Sequence, residues 1–210
     1  MSAPTYSISR TLQDFKTKIK SLKELDVANQ KTFSEKKITT GQFHLLTEAI
    51  FFNAYRDYEN FLHEVFMQYC MEYKTLDNKT VKSFLKPVDF IHAESLVKSS
   101  MRFLDWTSPG TVVERSETYL SRGFPIKEVY SSNFEALSQY KKIRNHIAHN
   151  SAESLLEYIS VVKAYKGTNP ITVPSPGEYL LFSDKKDPTK YLLLTFFDNL
   201  TTIAKKIAHG

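Results

Sequence analysis

One cysteine among 210 residues, Cys70, leaves neither an intrachain disulfide framework nor a cysteine-rich zinc site to organise this chain. Glycine is scarce, with six copies, and no glycine-rich phosphate loop, dinucleotide fingerprint or zinc-finger spacing occurs. His44, His63 and His92 lie far apart and no HExxH pattern is present, so neither a metal nor another cofactor is expected. No run approaches the roughly 18 apolar residues that a membrane span requires. Met1–Arg10 also lacks an apolar, signal-like core. An intracellular, cytoplasmic protein without membrane association is the economical expectation. Internal repeats and low-complexity tracts are missing as well.

What remains is an ordinary globular composition, 41% hydrophobic and 24% charged, in a chain long enough to bury a sizeable core. It is rich in Phe (15) and Tyr (12) against one Trp, and such rings fill helical cores or stack on bases. The net charge of +5 permits an anionic partner without establishing one. The lysines are scattered, as at Lys16, Lys18, Lys20 and Lys23, which fits a solvated face better than a polyphosphate track. Cys70, between Tyr69 and Met71, reads as a buried free thiol.

Apolar spacing predicts helices along most of the chain. Leu12, Phe15, Ile19, Leu22 and Leu25 mark a first helix over 9–29. A longer one over 42–73 carries Phe43, Leu46, Ile50, Phe51, Ala54, Tyr58, Phe61, Leu62, Val65, Phe66 and Tyr69, a face wide enough for several neighbours. Shorter helices are expected over 90–104 and 111–120, with a loop at Arg122-Gly123-Phe124-Pro125. Ser131 or Ser132 then caps a helix carrying Phe134, Leu137, Tyr140, Ile143 and Ile147, and Ser151 caps the next one. Gly167–Gly177, with three prolines, reads as a linker. Beyond it, Tyr179–Phe182 and Tyr191–Leu194 read as a short β-hairpin, or the second run opens an amphipathic C-terminal helix. The expectation is an all-α domain over 1–166 and a small appendage over 167–210.

Chemistry concentrates in Arg144-Asn145-His146-Ile147-Ala148-His149-Asn150. Arg144 offers paired donors for a phosphate, and His149 can exchange a proton near neutral pH. A turn after the helix would bring the imidazole back beside the guanidinium. These roles match RNA cleavage by a ribose 2′-hydroxyl, a reaction needing no protein nucleophile. Composition alone favours helix closure: Lys141, Lys142 and Arg144 complement a helix dipole, the histidines cap carbonyls, and Asn150 suits a left-handed terminal position. Lys141 and Lys142 serve equally to draw RNA inward. Tyr140 and Tyr158 read as core more than as base-stacking rings. Glu48 and Glu59, eleven residues apart, read as a surface charge pattern, and His63-Glu64 as a core edge or surface pair.

The run Arg144–Asn150 resembles the signature of the HEPN superfamily, an Arg and a His four to six residues apart with a polar residue after the Arg. Ile147-Ala148-His149 is similar to the form in the RiboL-PSP-HEPN group of bacterial defence and toxin ribonucleases. The helix with Tyr55, Tyr58, Glu59, Phe61 and Leu62 resembles that group's earlier core helix, and the likeness spans about 9–165. Asn150 stands where glycine is common in the group. The resemblance implies an all-helical bundle that forms a homodimer with a shared cleft. It also implies a metal-independent endoribonuclease of toxin–antitoxin or antiviral systems, with RNA as substrate and an antitoxin or defence-system protein as partner. Arg144 would hold the scissile phosphate, His149 would act as acid and base, and Asn145 would orient them; Lys141 and Lys142 would contact RNA, and His146 would do so only as an auxiliary, its position suiting a helix face or the core slightly better. The alternative within the same family is a noncatalytic module for RNA binding or protein assembly.

Overall fold

A computed structural model describes residues 6–102 and 104–210. Met1–Thr5, part of the N-terminal stretch read above, and Phe103, inside the predicted 90–104 helix, lie outside the described residues. The described chain is all-α: α1 (Ile8–Ser34), α2 (Thr40–Cys70), α3 (Phe90–Lys98), α4 (Pro109–Tyr119), α5 (Ile126–Ser132), α6 (Phe134–His149), α7 (Ala152–Lys166), α8 (Pro176–Leu180) and α9 (Leu192–His209). A 3-10 turn, Ser121–Gly123, follows α4. None of the described helices is long and apolar enough to cross a membrane.

The two long helices follow the apolar spacing; α1 outruns both predicted ends, while α2 starts two residues early and stops at Cys70, short of the predicted 73. α3 starts where Asp89 accepts the His92 N–H through its side chain and stops at Lys98. The serines expected to cap α6 belong to a separate short helix, α5, and the chain re-enters helix through Asn133, whose carbonyl accepts the Leu137 N–H. In place of the predicted hairpin there is α8, one isolated antiparallel bridge between Ser183 and Tyr191, and then α9; the described residues contain no strand. The reason lies in period. Leu193, Phe196, Phe197, Leu200, Ile203, Ala204 and Ile207 are all buried, a helical stripe that begins inside the second supposed strand.

The chain forms two compact units drawn from interleaved stretches, so neither coincides with 1–166 or 167–210. The first comprises Met1–Thr17, Asp57–Leu137 and Thr201–Gly210. Its core is built on the second half of α2, where Phe61, Leu62, Val65, Phe66 and Tyr69 are buried with Phe15 of α1 and Ile207 of α9. Tyr69 donates to the Ile207 carbonyl (2.7 Å), and the Tyr58 hydroxyl donates to that of Tyr130 (3.0 Å). Cys70 is a buried free thiol whose pKa burial pushes up to about 12.

The second unit comprises Lys18–Arg56 and Ser138–Leu200. Phe51 and Tyr55 of α2 stack with Phe196 of α9, and Tyr140 of α6 meets Phe196 edge-on (4.8 Å between centroids). The 167–177 stretch is tied down here rather than loose. Tyr158 donates to the carbonyls of Pro174 and Ser175 (3.1 Å each), and Gly177 packs so tightly on the His44 carbonyl that a Cβ would lie 2.2 Å from its oxygen.

Candidate functional site

All residues of the Arg144 cluster belong to the second unit and ride on the last turns of α6. The helix ends because Asn150 takes the left-handed conformation (φ 44°), donating its N–H to the His146 carbonyl at 2.9 Å. α7 starts one residue later with a reciprocal cap. Ser151 Oγ accepts the Ser154 N–H (3.2 Å), and Ser154 Oγ accepts the Ser151 N–H (3.0 Å). The α6–α7 turn is thereby fixed by sequence at both ends.

Four side chains of the cluster have distinct surroundings. The Arg144 guanidinium lies over the Phe52 ring of α2, 5.3 Å from its centroid, and donates to Asn145 Oδ1 at 3.4 Å. Arg144 and Asn145 are both partly exposed. His149, the last helical residue, is exposed and has no hydrogen bond or ion pair among the described residues. His146 is buried, 8% exposed, and lies flat on Tyr158 with centroids 5.0 Å apart and planes 15° apart. Lys141 and Lys142 are partly exposed, and Lys142 Nζ donates to Ser160 Oγ (3.0 Å).

Helical geometry separates the expected pair. Five residues advance about 7.5 Å along the axis and turn through about 140° net. His149 is still helical, and its ring makes no hydrogen bond with the guanidinium among the described residues, whereas Arg144 and Asn145 touch.

His146 instead borders an open cleft of about 480 Å³ with Glu48, Ile147, Asn150, Leu155 and the Val173–Pro176 segment. Glu48 Oε1 accepts the Gly177 N–H at 2.9 Å. His146 Nδ1 meets Ser154 Oγ at 3.2 Å. Ser154 Oγ has one hydrogen to give: sent to the Ser151 carbonyl (3.0 Å), it leaves His146 with a proton on Nδ1 and a lone pair on Nε2, and sent to Nδ1 it leaves the proton on Nε2. Burial pulls the His146 pKa below its ordinary value, and the nearby Glu48 charge partly offsets this. Neither Arg144 nor His149 lines this cleft.

Glu48, Phe52, Ser154 and Gly177 were missed as site residues by sequence reasoning. Glu48 looked like one more charge on an exposed helix, and only Pro176-Gly177 inside a proline-rich stretch hinted at a close backbone approach. Tyr140 and Tyr158 are core residues; Tyr140 OH accepts from Asn199 Nδ2 (2.6 Å), and burial raises its pKa to about 12. Glu59 belongs to the first unit, and no group of three or more potential metal ligands occurs among the described residues. Scans against protein-family models, curated proteins and solved structures found no match.

Proposed function

We propose that the protein is a metal-independent endoribonuclease in which Arg144 and His149, paired across two copies of the chain, act on the phosphate next to a ribose 2′-hydroxyl. The observation that carries this reading is His149. It is an exposed imidazole with no partner among the described residues, held at the end of the helix that also carries an Arg–Asn pair. A histidine that only closed a helix would be expected to engage a carbonyl or a carboxylate. The resemblance of Arg144–Asn150 to the HEPN signature supports the same reading.

In the reaction, a neutral imidazole accepts the 2′ proton while the 2′ oxygen attacks phosphorus. The guanidinium stabilises the charge gathering on the phosphoryl oxygens, and an imidazolium gives its proton to the departing 5′ oxygen. The P–O5′ bond breaks, leaving a 2′,3′-cyclic phosphate and a 5′-hydroxyl. Since Arg144 and His149 of one chain diverge by about 140°, a second copy supplies the missing partner, which makes a homodimer part of the proposal. Lys141 and Lys142 draw the RNA backbone inward. A toxin or antiviral effector, held in check by an antitoxin or another defence-system protein, is the role this chemistry suits.

Incubating the protein with RNA in EDTA tests the proposal. Cyclic-phosphate ends are expected, with cleavage reduced about 10²–10⁴-fold in His149→Ala. Full cleavage by a folded, dimeric His149→Ala protein overturns the assignment. One observation favours a second reading: Arg144 is turned onto Phe52 of its own chain. A noncatalytic RNA-binding or assembly module would use it so, and would bind RNA without cutting it.

A further inference from the structure

We propose that the cleft bordered by Glu48 and His146 is a base pocket that accepts guanine from RNA. The inference rests on the ribonuclease reading of Arg144 and His149 and names what that site would select. Two acceptors face the cleft. Glu48 commits Oε1 to the Gly177 N–H, leaving Oε2 without a donor among the described residues. His146 is more than nine-tenths buried, and the proposal takes the tautomer whose Nδ1–H donates to Ser154, which leaves Nε2 a free acceptor without a hydrogen bond among the described residues. The Asn150 amide, exposed at the rim, adds a donor. Ile147, Leu155, Val173 and two prolines add apolar surface for a flat ring, and Ser175 completes the lining.

This set of donors and acceptors discriminates among bases. Guanine alone presents two adjacent N–H donors on its pairing edge, N1–H and the 2-amino group, with O6 beside them for an amide donor. Adenine turns the N1 acceptor, and cytosine the N3 acceptor, toward the same carboxylate and imidazole. Uracil offers one donor between two acceptors. An unpaired donor or acceptor in a site built for a partner is rejected far more strongly than a missing methylene. Ile147 lies on α6 with Arg144 and His149 and Asn150 follows its last residue, so a base seated here belongs to an RNA strand within reach of that helix end.

Isothermal titration of the full chain with guanosine, inosine and adenosine tests the pocket independently of catalysis. Guanosine should bind at least about tenfold tighter than inosine, which lacks the 2-amino group, and adenosine weaker still. Glu48→Gln should remove the preference for guanosine over inosine. Leu155→Trp, which fills the cleft and leaves the Glu48–Gly177 contact alone, should abolish guanosine binding and so covers the case of an unfolded Glu48→Gln. Equal affinity for all three nucleosides overturns the inference, as does binding of arginine amide without guanosine, which would assign the cleft to a partner protein's guanidinium. Cleavage of RNA without preference for guanine and without guanosine binding overturns the pocket and leaves the nuclease standing. Guanosine binding by a protein that leaves RNA intact supports the pocket and removes the nuclease.

Discussion

Each unit of this protein lays an imidazole flat on an aromatic ring, half-buried in the first and buried in the second, and the two sites differ in what lies beyond the ring. In the first unit His63 stacks on Trp106 (5.6 Å, 15°), which also meets Phe66 (5.1 Å) and the Arg115 guanidinium (4.5 Å). Arg115, 5% exposed, donates to the Asp105 carbonyl at 2.7 Å. Trp106 Nε1 and His63 Nε2 are both buried without a hydrogen bond, Glu94 being 3.7 Å from the imidazole and too far to accept one. In the second unit His146 stacks on Tyr158, and its polar neighbours are complete: Ser154 takes Nδ1, and Tyr158 OH reaches two carbonyls. What stays open there faces a cleft. The first site tolerates orphaned polar atoms to complete a core; the second satisfies its interior and keeps its free acceptors for something outside the chain.

The largest effect should come from breaking the first stack. Trp106→Ala removes a ring that is 7% exposed together with the support of Arg115, and should cost about 4 kcal/mol in urea unfolding. A cost below about 1 kcal/mol would mean that this site is not core. Ser154→Ala should cost less, about 1–2 kcal/mol, by removing half of the reciprocal cap of α7 and the partner of His146 Nδ1. Its sharper readout is local. The His146 ring resonances should shift and exchange as the tautomer loses its anchor, while those of His149 stay put. Unchanged His146 resonances would contradict the hydrogen bond between His146 and Ser154.

The same contrast shows what was legible in the sequence. Helical periodicity located α1, α2 and α6 because their buried faces repeat within one element; on α2, Phe51, Ala54, Tyr58, Leu62, Val65 and Tyr69 are buried as the spacing requires, and Leu46 alone of that series is 42% exposed. The start of α7 was readable because Ser151 acts through residues three positions away. α5 and α8 are too short to show a period. The cleft could not be read at all, since Glu48 and Gly177 are 129 positions apart and meet only through tertiary packing. Within the candidate site, the polar composition of 144–150 was plain, but its division was not. That His146 turns inward while His149 remains outside depends on Tyr158 and Ser154 of the following helix.

The smallest effect is a difference in pH dependence. Burial depresses the pKa of both His63 and His146 below the ordinary 6.5. Glu94 and Glu64 oppose the shift at His63 and Arg115 reinforces it; Glu48 opposes the shift at His146. A depressed imidazole binds a proton less readily in the folded chain than in the unfolded one. The unfolded state therefore takes up more protons as the pH falls below about 6.5, and stability declines until the folded pKa is passed, with a slope bounded by one proton per ring. Unfolding midpoints measured from pH 8 to 5.5 should fall on acidification, and His63→Gln and His146→Gln should each flatten the fall. Removing the countercharge separates the two sites. Glu48→Gln withdraws the only carboxylate that favours protonated His146, so it should extend the loss to lower pH, and this extension should vanish when His146→Gln is combined with it. A midpoint that rises on acidification, or a Glu48→Gln effect that persists without His146, would mean that the carboxylate and the imidazole do not face each other across the cleft.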